Sequence, residues 1–346
     1  MAEFIGFQPN DFFNTKLYTG NNSTNAITGV GFEPALTWLK YRNGTSTQTV
    51  QASTLGDYYL STNGLDGKTA APNWDSFDAD GFTVSGTNSN YNASGNAYVS
   101  WNWKAGTTSG ITGGTITPTS YDINTTSGIG MYQYAGSGTN GATIAHGLGV
   151  APEMVFLKRT SGSAAWYFGH HRLNGGTNAW NYGMFLNDTA AEAADTGFYN
   201  TAPTSSVVTL GNVSTTNNSG QDYMMYAFVG KKGYSKFGGF TGNSNADGPF
   251  IYTGFRPAFF CVKRRDAPNK NWAMWDDKRD PYNVATTALW ADTTGAETVS
   301  GYKIDFCSNG IKIRENHGDW NTGEMVYMAF AKSPIVSSND IPGVAR

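Results

Sequence analysis

Four histidines, two cysteines and 26 acidic residues are the material from which this 346-residue chain could build a reactive site. His170-His171 is the one adjacent histidine pair. Neighbours in a strand point to opposite faces, so the two cannot hold one ion without a bulge. Asp75, Asp78 and Asp80 have calcium-loop composition but lack the alternating oxygen ligands closed by a distant bidentate Glu, so a turn role is expected. Cys261 and Cys307 are too few for a structural zinc site and read as small buried hydrophobes in neighbouring strands, their pairing left open. A glycosidase needs two carboxylates about 5 to 10 Å apart, and no acidic pair recurs in an apolar setting that would raise one of them. Neither a nucleophile elbow nor a phosphate-cradling Gly-rich loop is present. The expectation is a protein without catalytic residues, metal or cofactor.

Aromatic side chains beside Asn and Asp offer different chemistry, the stacking and hydrogen bonding that hold a sugar. Trp74, Trp180, Trp290 and Trp320 fall outside the repeated strand phrases described below and are candidate loop contacts to a glycan or a protein. Trp38, Trp101, Trp103 and Trp272 occupy repeated positions and are expected in the core. Near the N-terminus Phe4, Phe7, Phe12 and Phe13 form an apolar arm suited to burial against another subunit.

These residues need elements to place them, and composition points to strands. Charged residues make up 14% of the chain, roughly half the share of about 25% in ordinary domains, while aromatics also reach 14% and glycines number 43. A net charge of −3 argues against phosphate-backbone partners, which need clustered Lys and Arg. No run approaches the roughly 18 apolar residues of a membrane span, and Met1-Ala2-Glu3-Phe4 lacks the pattern of a signal peptide.

One phrase occurs three times. A Gly/Pro-punctuated stretch leads into a mostly apolar run ending in Lys: Phe32-Glu33-Pro34 to Lys40, Ala151-Pro152 to Lys158, and Arg256-Pro257 to Lys263. The prolines stand 118 and 105 residues apart. Each copy closes on an aromatic strand: Tyr98-Val99-Ser100-Trp101-Asn102-Trp103, Tyr223-Met224-Met225-Tyr226-Ala227-Phe228, and Tyr327-Met328-Ala329-Phe330. Alternation in the first of these predicts one buried face (Val99, Trp101, Trp103) opposite Tyr98, Ser100 and Asn102. Asp80-Gly81 and Asn309-Gly310 predict hairpins with two-residue turns centred on those pairs. Residues 188–194 are the best helix candidate, with Asp188 as N-cap. The expected fold is all-β: three tandem β-sandwich-like (jelly-roll or concanavalin-like) modules over 17–104, 131–230 and 231–334. An arm (1–16), a Gly/Thr/Ser-rich linker (105–130) and a tail (335–346) complete the division.

The opening Phe7-Gln8-Pro9-Asn10-Asp11-Phe12-Phe13-Asn14-Thr15-Lys16-Leu17-Tyr18-Thr19-Gly20-Asn21, the phrase around Pro34, the strand from Tyr98 to Lys104, and Asp276-Asp277-Lys278-Arg279-Asp280-Pro281-Tyr282-Asn283 resemble a repeat family of tailed, especially marine, bacteriophages. The resemblance covers about residues 7 to 334. It implies a virion structural protein, a tail fibre, head fibre or decoration, or lectin-like protein, assembled in the host cytoplasm onto capsid or tail proteins. It also implies a homo-oligomer, with a trimer the form common among such proteins. It offers no catalytic residues. Recognition of a host-surface glycan is the alternative function, and depolymerisation of host polysaccharide the third. Neither nucleic acid nor membrane insertion is expected. The weakly charged first module would then be buried against other subunits, while the third, with ten basic and ten acidic residues between Arg256 and Ala331, would face solvent.

Overall fold

A computed structural model describes residues 7–333. It is 44% strand and 4% helical, which makes the chain all-β. The helical pieces among the described residues are single 3-10 turns.

Three large antiparallel sheets follow one another, and in each the first strand of its phrase pairs with the last. The first sheet runs Phe13–Thr19, Ala97–Trp103, Leu36–Tyr41, Thr49–Ala52, Tyr58–Ser61 and Thr69–Ala70 across its width. The second keeps that order with Ile129–Ala135, Asp222–Phe228, Met154–Arg159, Tyr167–His170, Tyr182–Phe185 and Ala193–Ala194. The third does so with Ser235–Asn243, Thr322–Ala331, Pro257–Arg264, Ala273–Asp276, Ala285–Trp290 and Thr298–Cys307. Register repeats as well, since Leu36 faces Trp103, Met154 faces Phe228 and Phe259 faces Phe330.

Strand alternation sends every second residue of these sheets into one shared core. Trp101 meets Phe259 at 5.3 Å between ring centres, Trp103 meets Phe330 at 5.4 Å, and Phe168 meets Trp272 at 4.9 Å. The other face of each sheet is covered by chain from its own phrase. In the first sheet this cover carries Trp74, Phe82 and Tyr91, packed with Leu39 and Tyr98. Ser100 and Asn102, expected to face out, are therefore fully buried. Their polarity is absorbed locally: Asn102 donates to the Ser100 hydroxyl at 3.0 Å and to Asn14 O at 3.1 Å, and accepts from Thr37 at 2.9 Å.

At every boundary the lysine that ends the Pro-led run turns inward to the backbone of another sheet. Lys40 Nζ donates to Thr293 O (3.0 Å), Lys158 Nζ to Leu65 O (2.9 Å) and Lys263 Nζ to Asp188 O (3.3 Å). The first sheet thus grips the third, the second grips the first, and the third grips the second, which closes a ring. Gln48, Trp166 and Trp272 repeat the pattern, donating to Thr293 O (2.8 Å), Ser61 O (2.6 Å) and Phe185 O (3.0 Å). Backbone bonds return across each seam, from Glu297 N to Arg42 O, Lys68 N to Thr160 O, and Glu192 N to Arg265 O. Burial disfavours the ammonium form, bringing Lys40 down to about 7 and Lys158 to about 8, and lowering Lys263 likewise.

The seams also explain where the expectations differ from the structure. Residues 188–194 form no helix, because the carbonyls of Asp188 and Thr189 accept from Lys263 and Lys270 while Glu192 is bound to Arg265. Residues 105–130 are more than linker. Ser120–Asn124 adds an edge strand to the second sheet, and Asp122 accepts from Ser53 of the first at 2.7 Å. The two hairpins exist, but Asp78 faces Gly81 and Cys307 faces Gly310, so the loops are Ala79-Asp80 and Ser308-Asn309. Gly81, at φ 148°, is needed because a Cβ there would sit 1.9 Å from Ile27 O. Cys261 is buried in the shared core, and Cys307 lies at a hairpin three strands across the sheet; both are free thiols.

The N-terminal arm is also internal. Phe13 stacks on Phe330 at 5.1 Å, and Phe7 packs edge-on against Phe12 (4.9 Å) and Tyr234 (5.4 Å). Pairing of Phe13–Thr19 with Ala97–Trp103 carries these rings onto the third sheet of the same chain, where Phe13 is fully buried and Phe7 and Phe12 are half-buried. Phe4 and the 335–346 tail lie outside the described residues.

Candidate functional site

Of the four candidate tryptophans, Trp74 and Trp320 are internal. Trp74 stacks on Phe82 at 4.8 Å, and Trp320, with no exposure, stacks on His317 at 3.8 Å. Trp290 is half-buried against Tyr302 and Trp320. These three rings are packing residues, made so by aromatic neighbours that the repeat phrases do not contain. Trp180 is 6% exposed, its ring edge-on to Phe198 at 4.9 Å, and it alone lines a cavity.

That cavity is the smaller of two surface cavities and is formed by loops of the second sheet, while the larger lies between the second and third sheets. The smaller lobe, about 380 Å³, is lined by Trp180 with His171, Asn178, Asn181 and Asn200. The larger, about 640 Å³, is lined among others by Glu153, His171, Arg172, Lys236, Phe250 and Tyr252. His171 lines both. These volumes lie in the range of about 300 to 1,000 Å³ typical of small-molecule sites.

Loops built on the seam place these side chains. His171 N donates to Glu153 O at 2.9 Å, and His171 Nε2 donates to Phe237 O of the third sheet at 2.8 Å, which fixes the protonated ring nitrogen. The Glu153 carboxylate stands 3.9 Å from that ring. Burial raises the Glu153 carboxyl, against the pull of His171, Arg172 and Lys236. Asn174, Asn178, Tyr199 and Asn200 hold φ between 46° and 52°, left-handed backbone that Asn adopts more readily than most residues. Such conformations cluster where a scaffold holds loops for binding. On the far wall, Phe250 is 46% and Tyr252 60% exposed, and Lys236 Nζ lies 5.1 Å from the Tyr252 ring centre while donating to Tyr252 O at 2.7 Å. Tyr327 backs the groove with its hydroxyl pushed up to about 12 by burial.

The other candidates are occupied in structural roles. Asp80 accepts from the amides of Gly29 (2.8 Å) and Gly31 (2.6 Å), which hold its carboxyl below the usual range. Asp78 accepts from Ser76 and Thr83, and Asp75 from Ser85. No group of three or more His, Cys, Asp or Glu able to hold a metal occurs among the described residues. No helix among them is long and apolar enough to cross a membrane. Sequence reasoning set His170-His171 aside as a metal site and missed Arg172, Phe250 and Tyr252. The one signal was that the second copy carries His170-His171 where the third carries Asp276-Asp277.

The class defined by fold and groove is an all-β protein with a polar, aromatic-walled cleft set between interlocked sheets. The chain belongs to the family described as a domain of unknown function (DUF7483), which matches residues 8–334 and so runs through all three sheets. No curated protein and no solved structure matches it.

Proposed function

We propose that this chain is a structural protein of a tailed-phage virion, a tail fibre or capsid decoration, that assembles onto the particle and holds a host-surface glycan in the groove beside His171. In this reading each large sheet with its cover is a jelly-roll or concanavalin-like sandwich, three in tandem, and homo-oligomers form through outer surfaces. The repeated phrases support the virion assignment. The observation that carries the glycan part is the pair of cavities that His171 lines, one walled by exposed Tyr252 and Phe250 and the other by Trp180 and three asparagines. Sugars stack their apolar faces on aromatic rings and bond their hydroxyls to amides, and both groups are in place. Among the described residues lining the groove Glu153 is the one acid, whereas hydrolysis calls for two carboxylates. The purified protein is expected to bind a subset of a glycan array and to lose that binding in Tyr252→Ala, with the chain located by cryo-EM at the head or tail surface of the particle. An array without a single hit, or hits unaffected by Tyr252→Ala, would refute the glycan assignment. Absence of the chain from the particle map would refute the virion assignment.

A further inference from the structure

Resting on the glycan reading above, we infer that the groove selects acidic saccharides and that Arg172 receives the carboxylate of a uronic acid. The third sheet shows what this position does when its charge is satisfied. There Asp276, paired in register with Phe259, binds Arg279 at 2.6 Å with both side chains fully buried. In the second sheet the register partner of Met154 is His170, so the acid is replaced, and the arginine that follows it, Arg172, is exposed at the groove. Its guanidinium makes no hydrogen bond or ion pair among the described residues. Arg172 and Lys236 bring two cations to the larger lobe beside the single carboxylate of Glu153.

The geometry favours a carboxylate over a neutral sugar. Arg presents a planar fork that binds a carboxylate bidentately. Lys236 is held over Tyr252 by its bond to Tyr252 O, which sets a second positive charge beside the ring on which a sugar would stack. Glu153 and His171 line the same lobe. A saccharide in the larger lobe would place its ring on Tyr252 and its acid on Arg172.

The test is an array of neutral, uronate-bearing and sulfated oligosaccharides, followed by titration of the best members against the full chain. Uronate-bearing glycans are expected to bind, their methyl esters about tenfold or more weakly, and Arg172→Gln is expected to weaken uronate binding by a similar factor, as loss of a hydrogen bond to a charged group does. Raising the salt is expected to weaken binding further. Unchanged thermal unfolding of Arg172→Gln shows that the exposed substitution leaves the fold intact. Equal binding of esters and acids, or wild-type affinity in Arg172→Gln, overturns the inference while leaving glycan recognition standing. Binding confined to sulfated members overturns the carboxylate assignment. An array without hits overturns both readings together.

Discussion

Lys40 is buried at the seam between the first and third sheets, and its replacement by Met should reverse sign with pH. In the native protein burial brings its pKa from an ordinary 10.5 to about 7. Between those values the unfolded chain binds the proton and the native chain does not, so stability rises with pH across the window. At about 1.36 kcal/mol per pH unit, the full interval amounts to about 5 kcal/mol. Lys158, brought to about 8, adds roughly 3 kcal/mol over its own window in the same direction. Buried tyrosines cap the rise: Tyr18, Tyr132 and Tyr134 are raised by burial, so above pH 10 the unfolded state alone ionises and stability falls. The wild type is thus expected to be most stable near pH 9 to 10. Lys40→Met removes the proton linkage and one hydrogen bond, worth about 1 kcal/mol, to a carbonyl that still accepts from Gln48. It should be more stable than wild type by a few kcal/mol at pH 6 and less stable by about 1 kcal/mol at pH 11, once the unfolded Lys40 is also largely neutral. Urea midpoints taken from pH 6 to 11 measure this. A wild-type midpoint that falls between pH 7 and 9, or a difference of the same sign at both ends, would refute the placement of Lys40.

Gly81→Ala and Gly310→Ala drive a Cβ to 1.9 Å from Ile27 O and 2.2 Å from Ile251 O, and each is expected to cost about 2 kcal/mol or more. Gly56→Ala meets no neighbouring atom, but at φ 60° and ψ −134° the backbone suits glycine alone, and the strain should cost about 1 to 3 kcal/mol in the same denaturation assay. Asp276→Asn removes the nearer of two acids from buried Arg279, leaving Glu297 at 3.7 Å, and should lower stability by about 3 kcal/mol, part of which the double variant Asp276→Leu/Arg279→Met recovers. Phe13→Ala empties a fully enclosed site beside Phe330 and is expected to cost about 3 to 5 kcal/mol in the isolated protein, a loss that an arm serving only other subunits would not show.

Strands and their boundaries were legible because the cues were local. Pro34, Pro152 and Pro257 announce a buried run, and the closing aromatics mark its partner strand. The lysine ending each run was visible too, but by sequence it reads as a solvated charge. Only the ring of sheets supplies Thr293 O, Leu65 O and Asp188 O as its partners. Ser100 and Asn102 misled for a related reason, since period-2 alternation separates two faces without saying that both are covered. The groove was the least legible feature. Glu153, His171, Lys236 and Tyr252 come from four separate segments, and no spacing rule joins them.

The closed ring also dictates an order of completion during synthesis. Lys263 and Lys158 reach partners 75 and 93 residues earlier in the chain, but Lys40 must wait for Thr293, 253 residues later. Closing so distant a contact is slow, and a nascent chain holding only two sheets presents the apolar faces of Trp101 and Trp103 without Phe259 or Phe330 to cover them. The sheet made first on the ribosome is the last to be finished, so the intermediate most exposed to aggregation is one in which two thirds of the strands already exist.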